Sequence, residues 1–256
     1  MKTVILAGGL GTRISEESHL RPKPMIEIGG YPILWHIMKI YHAQGVKDFI
    51  ICLGYKGYII KEFFRNYALY TSDVTFDMVH DRMIVHQQHS EDWRVTLVDT
   101  GEQSLTGGRL KRVREYLGED PFFFTYGDGV ADIDLNALKT FHAKSGKLVT
   151  LTAVQPPGRY GAVEMDGDGV VSVFQEKPLG DGAWINGGFF VVNPVAIDSI
   201  EGDDTNWEGH TIPKLVNRSE VAAYAHRGFW AAMDTLRDKV HLENHWSGGK
   251  APWKVW

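Results

Sequence analysis

Several features that mark large classes of protein are scarce or missing in this chain. Its 256 residues include one cysteine, Cys52, so an internal disulfide framework is excluded and a reducing compartment is indicated. No apolar run approaches the roughly 18 residues of a membrane span. The five apolar or small residues before the first glycine are too few for the core of a signal peptide. We expect a cytoplasmic protein with no membrane partner and with Cys52 buried in a strand.

An excess of charge of one sign is also absent. Lysine and arginine number 27 and aspartate and glutamate 32, which gives a formal net charge of −5. Proteins that hold nucleic acid along a duplex carry a basic surplus, so no nucleic-acid partner is expected and any basic site must be local. The content of 43% hydrophobic and 23% charged residues is typical of a globular protein.

Strand-like and helix-like segments alternate from the start of the chain. Buried strands are predicted at residues 3–7 and 48–53, and amphipathic helices at residues 33–41 and 58–67. This order predicts an α/β fold of the Rossmann-like, doubly wound type, with a mixed but mostly parallel sheet. Ligands of such sheets bind at the carboxyl ends of the strands.

The later segments continue this alternation with one interruption. Residues 73–98 contain short β-rich pieces around a polar patch, which predict an inserted antiparallel hairpin. After Gly161 the chain becomes strand-rich. The aromatic segment 250–256 is expected to pack on its own subunit, and a contact with another subunit is the alternative. Helices are predicted at 110–117, 135–142 and 236–245, and strands at 122–126, 149–154, 162–165, 170–174 and 188–192.

The loop after the first strand, Gly8-Gly-Leu-Gly-Thr-Arg13, predicts a polyphosphate site. Glycines let backbone N–H groups approach anionic oxygens, and an arginine adds a planar charged fork. A dinucleotide fingerprint would need a small residue in place of Ile14, and a P-loop would need Gly-Lys-Ser/Thr. Both alternatives are disfavoured. Lys23, between two prolines, is predicted to face the same anion as Arg13.

The sequence resembles the sugar-1-phosphate nucleotidylyltransferases over most of its length. We therefore expect one domain over residues 1–256, with 1–150 mainly binding the nucleotide and 151–256 mainly the sugar phosphate. The motifs that carry the resemblance are Leu6-Ala-Gly-Gly-Leu-Gly-Thr-Arg13, Pro22-Lys-Pro-Met25, Tyr126-Gly-Asp-Gly129, Glu176-Lys-Pro178 and Asn186-Gly-Gly188.

The resemblance implies transfer of a nucleotidyl group to a sugar 1-phosphate, whose phosphate oxygen attacks the α-phosphorus in line and expels pyrophosphate. Within the family, the substrates implied are CTP and α-D-glucose 1-phosphate, and the product CDP-glucose, for deoxysugars of surface polysaccharides such as O-antigen. A thymidylyl or uridylyl specificity is the alternative, although such members carry a glutamine-containing base loop in place of residues 100–109. The segments that favour CTP are 32–37, 97–101, 106–111, 157–161 and 229–238.

The same resemblance implies the site residues. Arg13 and Lys23 are the predicted catalytic residues, acting on the β- and γ-phosphates and on the α-phosphate region, and surface ion pairs are the alternative for both. Other predicted nucleotide-binding residues are Leu6, Ala7, Gly8, Gly9, Leu10, Gly11, Thr12, Ser104, Gly108, Arg109 and Gly127. The predicted sugar-phosphate-binding residues are Tyr160, Gly161, Glu176, Lys177, Asn186 and Gly187.

Some of these residues have more specific predicted roles. Ser104 and Arg109 are expected to recognise the 4-amino group and N3 of cytosine, because a site built for the amine rejects a carbonyl in its place. A solvated loop is the alternative there. Lys177 is expected to bind the nucleophilic phosphate and Glu176 the sugar hydroxyls, with a structural ion pair between them as the alternative.

Mg²⁺ is the predicted cofactor, because several anionic oxygens must be brought together and this ion needs only one or two carboxylates beside phosphate and water. Asp128 and Asp234 are the predicted ligands. Capping is the alternative for both, Asp128 at a turn or helix and Asp234 at the helix 236–245. Asp132 and Asp134 match an Asp-x-Asp metal motif, but they directly precede a helix, and capping is predicted.

The remaining chemistry-bearing residues are given structural roles. His80, His86 and His89 lack a known metal-ligand spacing and are predicted to be structural or on the surface. A noncatalytic relative of the family is disfavoured because the Gly-Thr-Arg, Lys23 and Asp128 positions are all intact. A glycosyltransferase that uses nucleotide sugars is disfavoured because it should lack Pro-Lys-Pro-Met and use Asp-x-Asp at a strand end. The resemblance implies a homo-oligomer, with a hexamer as one such assembly and an active site near a subunit boundary.

Overall fold

The chain folds around a seven-stranded sheet in a computed structural model that describes residues 1–88, 90–156, 158, 161–176, 179 and 183–256. The strands of these residues are β1 (Thr3–Leu6), β2 (Glu27–Ile28), β3 (Tyr31–Pro32), β4 (Asp48–Leu53), β5 (Ser72–Asp77), β6 (Arg82–Gln88), β7 (Arg94–Asp99), β8 (Phe122–Tyr126), β9 (Gly129–Ala131), β10 (Val149–Val154), β11 (Ala162–Met165), β12 (Val171–Gln175), β13 (Ile185–Val192), β14 (Val221–Ala225) and β15 (Trp230–Ala232). The α-helices are α1 (Ser15–Ser18), α2 (Ile33–His42), α3 (Gly57–Tyr70), α4 (Thr106–Arg112), α5 (Leu135–Ser145), α6 (Ile212–Asn217) and α7 (Leu236–Ser247).

The order of the strands in the central sheet is β14-β10-β13-β8-β1-β4-β7. Neighbours are parallel except at β13, which is antiparallel to both β10 and β8. This confirms the mixed, mostly parallel sheet predicted from the alternation of apolar segments. Because β8, β1 and β4 are parallel neighbours, the segments that follow them emerge at one edge of the sheet.

Apolar layers cover both faces of the sheet. In β4, Phe49, Ile51 and Leu53 belong to one layer, whereas Ile50 and Cys52 belong to the other. This alternation follows from the two-residue period of a strand, and a strand with both sets apolar is buried on both faces. Cys52 is fully buried as predicted, and burial raises the pKa of its thiol to about 12.

The hairpin predicted over residues 73–98 is partly wrong. Only β5 and β6 form an antiparallel pair, whereas β7 is an edge strand of the central sheet, parallel to β4 with Arg94 opposite Asp48. The reason is that Val95 and Leu97 of β7 pack against one apolar layer of the core, and this packing places the strand in the central sheet.

The helix predicted at residues 110–117 begins earlier, at Thr106, and gives way to a short 3₁₀ turn at Arg114–Tyr116. Gly107 and Gly108 indicate a loop in the sequence, but they lie inside α4. Their Cβ positions would come within 2.7 Å of the Thr205 carbonyl oxygen and 2.4 Å of that of Asp203. Glycine is therefore required there by the close approach of another backbone.

The C-terminal segment packs on its own subunit, as predicted. Trp253 is 1% exposed and lies in the apolar layer, and the Trp256 ring is 5.6 Å from that of Trp35. His36 lies among these rings and its Nε2 is 2.8 Å from the Ile28 carbonyl oxygen. Burial lowers the pKa of His36 to about 4, so the imidazole is neutral in the native protein at pH 7. None of the helices in the described ranges combines the length and apolar character needed to cross a bilayer.

The buried His36 makes stability depend on pH. The unfolded chain protonates this imidazole below its ordinary pKa of 6.5, whereas the native protein does so only near pH 4. Stability from this group is therefore complete above pH 6.5 and falls as the pH drops towards 4, by roughly 3 kcal/mol in all. We expect the free energy of unfolding, measured by urea denaturation, to fall less between pH 7 and pH 4.5 in His36→Gln than in the wild type. Equal falls in the two proteins would contradict this.

Candidate active site

A pocket of about 350 Å³ opens at the carboxyl ends of β1 and β8. Its walls come from the glycine-rich loop after β1, the turn Lys23–Met25, the start of α4 and the segment after β8. This is the edge at which parallel α/β sheets bind ligands. The lining residues are Leu6, Ala7, Gly8, Gly9, Gly11, Thr12, Arg13, Ile14, Lys23, Pro24, Ser104, Leu105, Thr106, Arg109, Tyr126, Gly127, Asp128 and Asn206.

Different glycines of the loop are required for different reasons. A Cβ on Gly8 would lie 2.1 Å from Nη1 of Arg109, so Gly8 makes room for a guanidinium. Gly11 has φ of +66°, in the left-handed region that favours glycine. A Cβ on Gly9 would have none of the described atoms within 4 Å. The loop is therefore shaped by Gly8 and Gly11, and Gly9 faces open space.

Two cations and two carboxylates form a cluster at the mouth of this loop. Nζ of Lys23 is 2.7 Å from Oδ2 of Asp128 and 2.6 Å from Oδ1 of Asp234. Nη1 of Arg13 is 2.8 Å from the other oxygen of Asp234. The Lys23 side chain is 11% exposed, whereas that of Arg13 is 74% exposed. Burial alone would lower the pKa of Lys23, but the two carboxylates outweigh it and raise this pKa, so the ammonium stays charged.

A short antiparallel ribbon brings the two carboxylates together. Asp128 precedes β9 and Asp234 follows β15, and these strands pair with Gly129 opposite Ala232. The Met233 N–H donates to the Asp128 carbonyl at 2.9 Å, which extends the ribbon to both aspartates. This pairing brings Asp128 and Asp234, which are distant in sequence, into contact with the same ammonium group, that of Lys23.

Two of the capping alternatives are decided by the helix ends. The N-cap of α7 is Thr235, whose hydroxyl oxygen accepts from the Asp238 N–H and which forms a capping box with that residue. Asp234 is thus not the cap. Asp134 caps α5 by accepting a hydrogen bond of 2.8 Å from the Ala137 N–H, as predicted.

The carboxylates of Asp128 and Asp234 fit a hard divalent cation whose remaining ligands are phosphate oxygens and water. One carboxylate oxygen of Asp128 and one of Asp234 converge on the same positive group, the Lys23 ammonium. Within the described ranges no group of three or more histidine, cysteine, aspartate or glutamate residues is placed to hold a metal. Two carboxylates are what Mg²⁺ uses beside phosphate oxygens and water, and they are too few for a site closed by protein alone.

Ser104 and Arg109 both lie at the pocket, but their side chains are used differently. Ser104 lines it and is 8% exposed. The Arg109 guanidinium is buried beneath the loops, where Nη1 donates to the carbonyls of Leu53 and Gly101 and to the Thr100 hydroxyl, and Nη2 to the carbonyls of Gly8 and Glu102, at 2.7 to 3.0 Å. Its terminal N–H groups hold the end of β4 together with the loops that follow β1 and β7.

Two predicted nucleotide-binding residues lie away from the pocket walls. Leu10 is at the tip of the glycine-rich loop and is 48% exposed. Gly108 faces the backbone of Asp203 on the side of α4 against which that segment packs.

The predicted sugar-phosphate residues fall into two places. Gly161 and Glu176 flank the β11-β12 ribbon, where a Cβ on Gly161 would lie 3.2 Å from Oε2 of Glu176. Asn186 and Gly187 lie in β13, where Nδ2 of Asn186 donates to the Tyr126 hydroxyl at 3.1 Å. The Gly187 carbonyl accepts from the Trp230 indole at 2.7 Å. The predicted roles of Tyr160 and Lys177 lie outside the described residues.

Four polar residues at this site were missed by sequence reasoning. Thr106, Tyr126 and Asn206 line the pocket, and Glu208 accepts hydrogen bonds from the hydroxyls of Thr106 and Tyr126. Tyr126 carried a signal as the first residue of the Tyr-Gly-Asp-Gly motif, and Thr106 as the first residue of the segment 106–111 that favours CTP. Glu208 lies 82 residues beyond Tyr126, in a segment without a recognisable pattern.

The histidines of the hairpin have local partners. His80 pairs with Asp77 at 2.7 Å, and His86 hydrogen-bonds the Thr75 hydroxyl at 2.8 Å. This agrees with the predicted surface role of both. The prediction for His89 falls outside the described residues.

Comparison with known proteins points to one family across nearly the whole chain. A family model described as nucleotidyl transferase matches residues 2–241. The chain is 62% identical over 257 residues to the glucose-1-phosphate cytidylyltransferases of Salmonella typhi and Salmonella typhimurium, covering 100% of this chain and of each relative. The solved structure of HddC from Yersinia pseudotuberculosis matches with a TM-score of 0.69 and 25% identity, over 96% of this chain and 99% of that one.

The glycine-rich loop gives a matched pair of substitutions. We expect Gly8→Ala to lower the free energy of unfolding by about 1 to 3 kcal/mol, because the added methyl group overlaps the buried Arg109 guanidinium. Gly9→Ala adds the same group in open space and is expected to change it by no more than about 0.5 kcal/mol. Urea denaturation of both variants measures this, and equal effects would contradict the packing of Arg109 on Gly8.

Proposed function

Because the chain belongs to the nucleotidyl transferase family, we propose that it transfers the cytidylyl group of CTP to α-D-glucose 1-phosphate and releases CDP-glucose and pyrophosphate. The observation that carries this function is the 62% identity over the full length to two glucose-1-phosphate cytidylyltransferases. The pocket supports it, because Arg13, Lys23, Asp128 and Asp234 meet beside a glycine-rich loop.

The reaction asks the protein mainly for position and charge. A phosphate oxygen of glucose 1-phosphate is already a nucleophile, so no serine, cysteine or histidine has to be activated. Negative charge develops on the nonbridging and leaving oxygens, where preorganised cations stabilise the transition state. Arg13 acts on the β- and γ-phosphates and the departing pyrophosphate, and Lys23 acts near the α-phosphate.

The exposure of these two cations supports that division of roles. Arg13 is the more exposed and stands at the open side, where a leaving pyrophosphate can depart. Lys23 is held in the turn Lys23–Met25 after an extended Pro22 and is largely buried. A buried, prealigned ammonium reorganises little during the reaction, which is the property that makes electrostatic catalysis effective.

Asp128 and Asp234 would hold Mg²⁺. When bound, this ion supplies positive charge to the phosphate oxygens beside that of the protein cations. Both carboxylates are compensated by Lys23 and Arg13 in the structure, so the cluster is balanced before nucleotide arrives.

Recognition of cytosine is assigned to the start of α4. Ser104 supplies a hydroxyl at the pocket wall, and Arg109 acts by holding the loops after β1 and β7 in place through the carbonyls of Gly8, Gly101 and Glu102. Polar groups in fixed positions at this wall would favour the 4-amino group of cytosine over the carbonyl of uracil, because a mismatch leaves a buried polar group unpaired.

The sugar phosphate is assigned to the second half of the chain. We assign it to Asn186 and Gly187 in β13, to Gly161 and Glu176 beside the β11-β12 ribbon and, from the family resemblance, to Tyr160 and Lys177. Residues 1–150 would mainly bind the nucleotide and residues 151–256 the sugar phosphate. We further propose a cytoplasmic homo-oligomer that serves the synthesis of surface-polysaccharide deoxysugars.

A nucleotide panel tests this function. Purified protein is given glucose 1-phosphate and Mg²⁺ with CTP, UTP, dTTP or ATP, and the pyrophosphate released is measured. We expect kcat/KM to be highest with CTP, because the wall around Ser104 is assigned to the cytosine amine. A wide preference for dTTP or UTP would contradict the cytidylyl specificity while leaving nucleotidyl transfer intact.

A further inference from the structure

One carboxylate links the two sides of the pocket. Oε1 of Glu208 accepts a hydrogen bond of 2.5 Å from the Tyr126 hydroxyl, and Oε2 accepts one of 2.7 Å from the Thr106 hydroxyl. Glu208 is the second residue of a short π-helical turn, Trp207–Thr211, whose first residue is fully buried in an apolar layer. Its backbone is therefore anchored by the core.

The Thr106 hydroxyl lies on the nucleotide side. Thr106 is the first residue of α4 and lines the pocket two positions after Ser104. Its Oγ1 also accepts a hydrogen bond of 2.9 Å from the Trp207 N–H. Two backbone bonds reinforce this docking, from the Leu105 N–H to the Asp203 carbonyl and from the Gly108 N–H to that of Thr205. The start of α4 is thus set by the segment that carries Glu208.

The Tyr126 hydroxyl leads to the other two parts of the site. Tyr126 ends β8, two residues before Asp128, and its ring lines the pocket. Its Oη accepts a hydrogen bond of 3.1 Å from Nδ2 of Asn186, a residue assigned to the sugar phosphate. Oδ1 of Asn186 accepts from the Gly188 N–H at 3.0 Å, which fixes the orientation of the amide.

The two oxygens of the Glu208 carboxylate accept from the two hydroxyls. Each hydroxyl also accepts from an N–H group, the one of Trp207 or the one of Asn186, and donates its own proton to Glu208. The acceptor must offer two oxygens and no hydrogen, as glutamate does and glutamine does not.

We propose that Glu208 is a positioning residue that fixes the nucleotide side of the pocket, through Thr106, in register with Asp128 and the sugar side, through Tyr126 and Asn186. This inference rests on the proposed function, which assigns nucleotide and sugar to those sides. Among the described residues that line the pocket Glu208 is absent, so it acts through the two hydroxyls.

The substitution Glu208→Gln tests this with little change of shape. An amide presents its N–H₂ group to one hydroxyl and leaves two donors facing each other. We expect kcat/KM for CTP and for glucose 1-phosphate each to fall on the order of 10-fold to 100-fold, the range of a hydrogen bond to a charged group. Glu201→Gln, at an exposed ion pair with Lys214, is the matched control and is expected to leave both values unchanged.

A cycle of substitutions separates positioning from a general loss of structure. Tyr126→Phe and Thr106→Val each remove one donor to Glu208. Because Glu208 links the two hydroxyls, we expect the fold-changes in kcat/KM caused by these two substitutions not to multiply in the double variant of the wild type. In the Glu208→Gln background the link is absent, and we expect the two fold-changes to multiply. If Glu208→Gln does not fold, the wild-type arm alone decides, since multiplicative effects there overturn the proposal.

The remaining outcomes are distinct. Normal kcat/KM in folded Glu208→Gln, or a loss that follows only a lower Tm and leaves KM for both substrates unchanged, would overturn the positioning role. Absence of turnover by the wild-type enzyme with CTP and glucose 1-phosphate would instead refute the proposed function.

Discussion

The Lys23 ammonium, held between the carboxylates of Asp128 and Asp234, is the interaction on which the site depends. It joins the turn Lys23–Met25 to residues 105 and 211 positions further along the chain than Lys23. Removing either partner of such a pair leaves a partly buried charge without compensation, which costs more than the pair itself contributes. The cluster therefore requires that the glycine-rich loop, the end of β8 and the end of β15 keep their relative positions.

Three devices hold those positions. The β9-β15 ribbon fixes the two aspartates against each other through its backbone pairing. The Arg109 guanidinium packs on Gly8 and ties the end of β4 to the loops that follow β1 and β7. Glu208 connects the end of β8 to the start of α4. Each uses a charged or backbone group whose hydrogen bonds are satisfied, so the pocket is shaped before a ligand enters.

Local patterns are sufficient for much of the fold. The strands at 48–53, 122–126 and 149–154 have the bounds predicted from apolar runs, because strands buried on both faces are almost wholly apolar. The edge strand β7 is not predictable in this way, because its place depends on a distant partner, β4. The local pattern of Gly107 and Gly108 indicates a loop, but both residues lie in α4. The local pattern is misleading because the backbone that requires these glycines comes from the distant residues 203–205.

The site divides in the same way. The loop at Gly8 to Arg13 and the lysine between prolines are contiguous motifs, from which the sequence predicts that Arg13 and Lys23 face the same anion. Asp234 was predicted as a metal ligand only from the family resemblance. In the structure its carboxylate contacts Lys23, as that of Asp128 does. Glu208 left no signal, since its role follows from hydroxyls 82 and 102 residues earlier in the chain. The individual ligand contacts stay predictions.

Turnover of Asp128→Asn beside Asp134→Asn tests the central cluster most directly. Both substitutions replace one carboxylate by an amide, but Asn remains a good helix cap at position 134, whereas position 128 loses charge towards Lys23 and Mg²⁺. We expect kcat with CTP and glucose 1-phosphate to fall on the order of 100-fold to 1000-fold or more for Asp128→Asn and to stay near wild type for Asp134→Asn. Near-normal turnover of a folded Asp128→Asn variant would contradict the account.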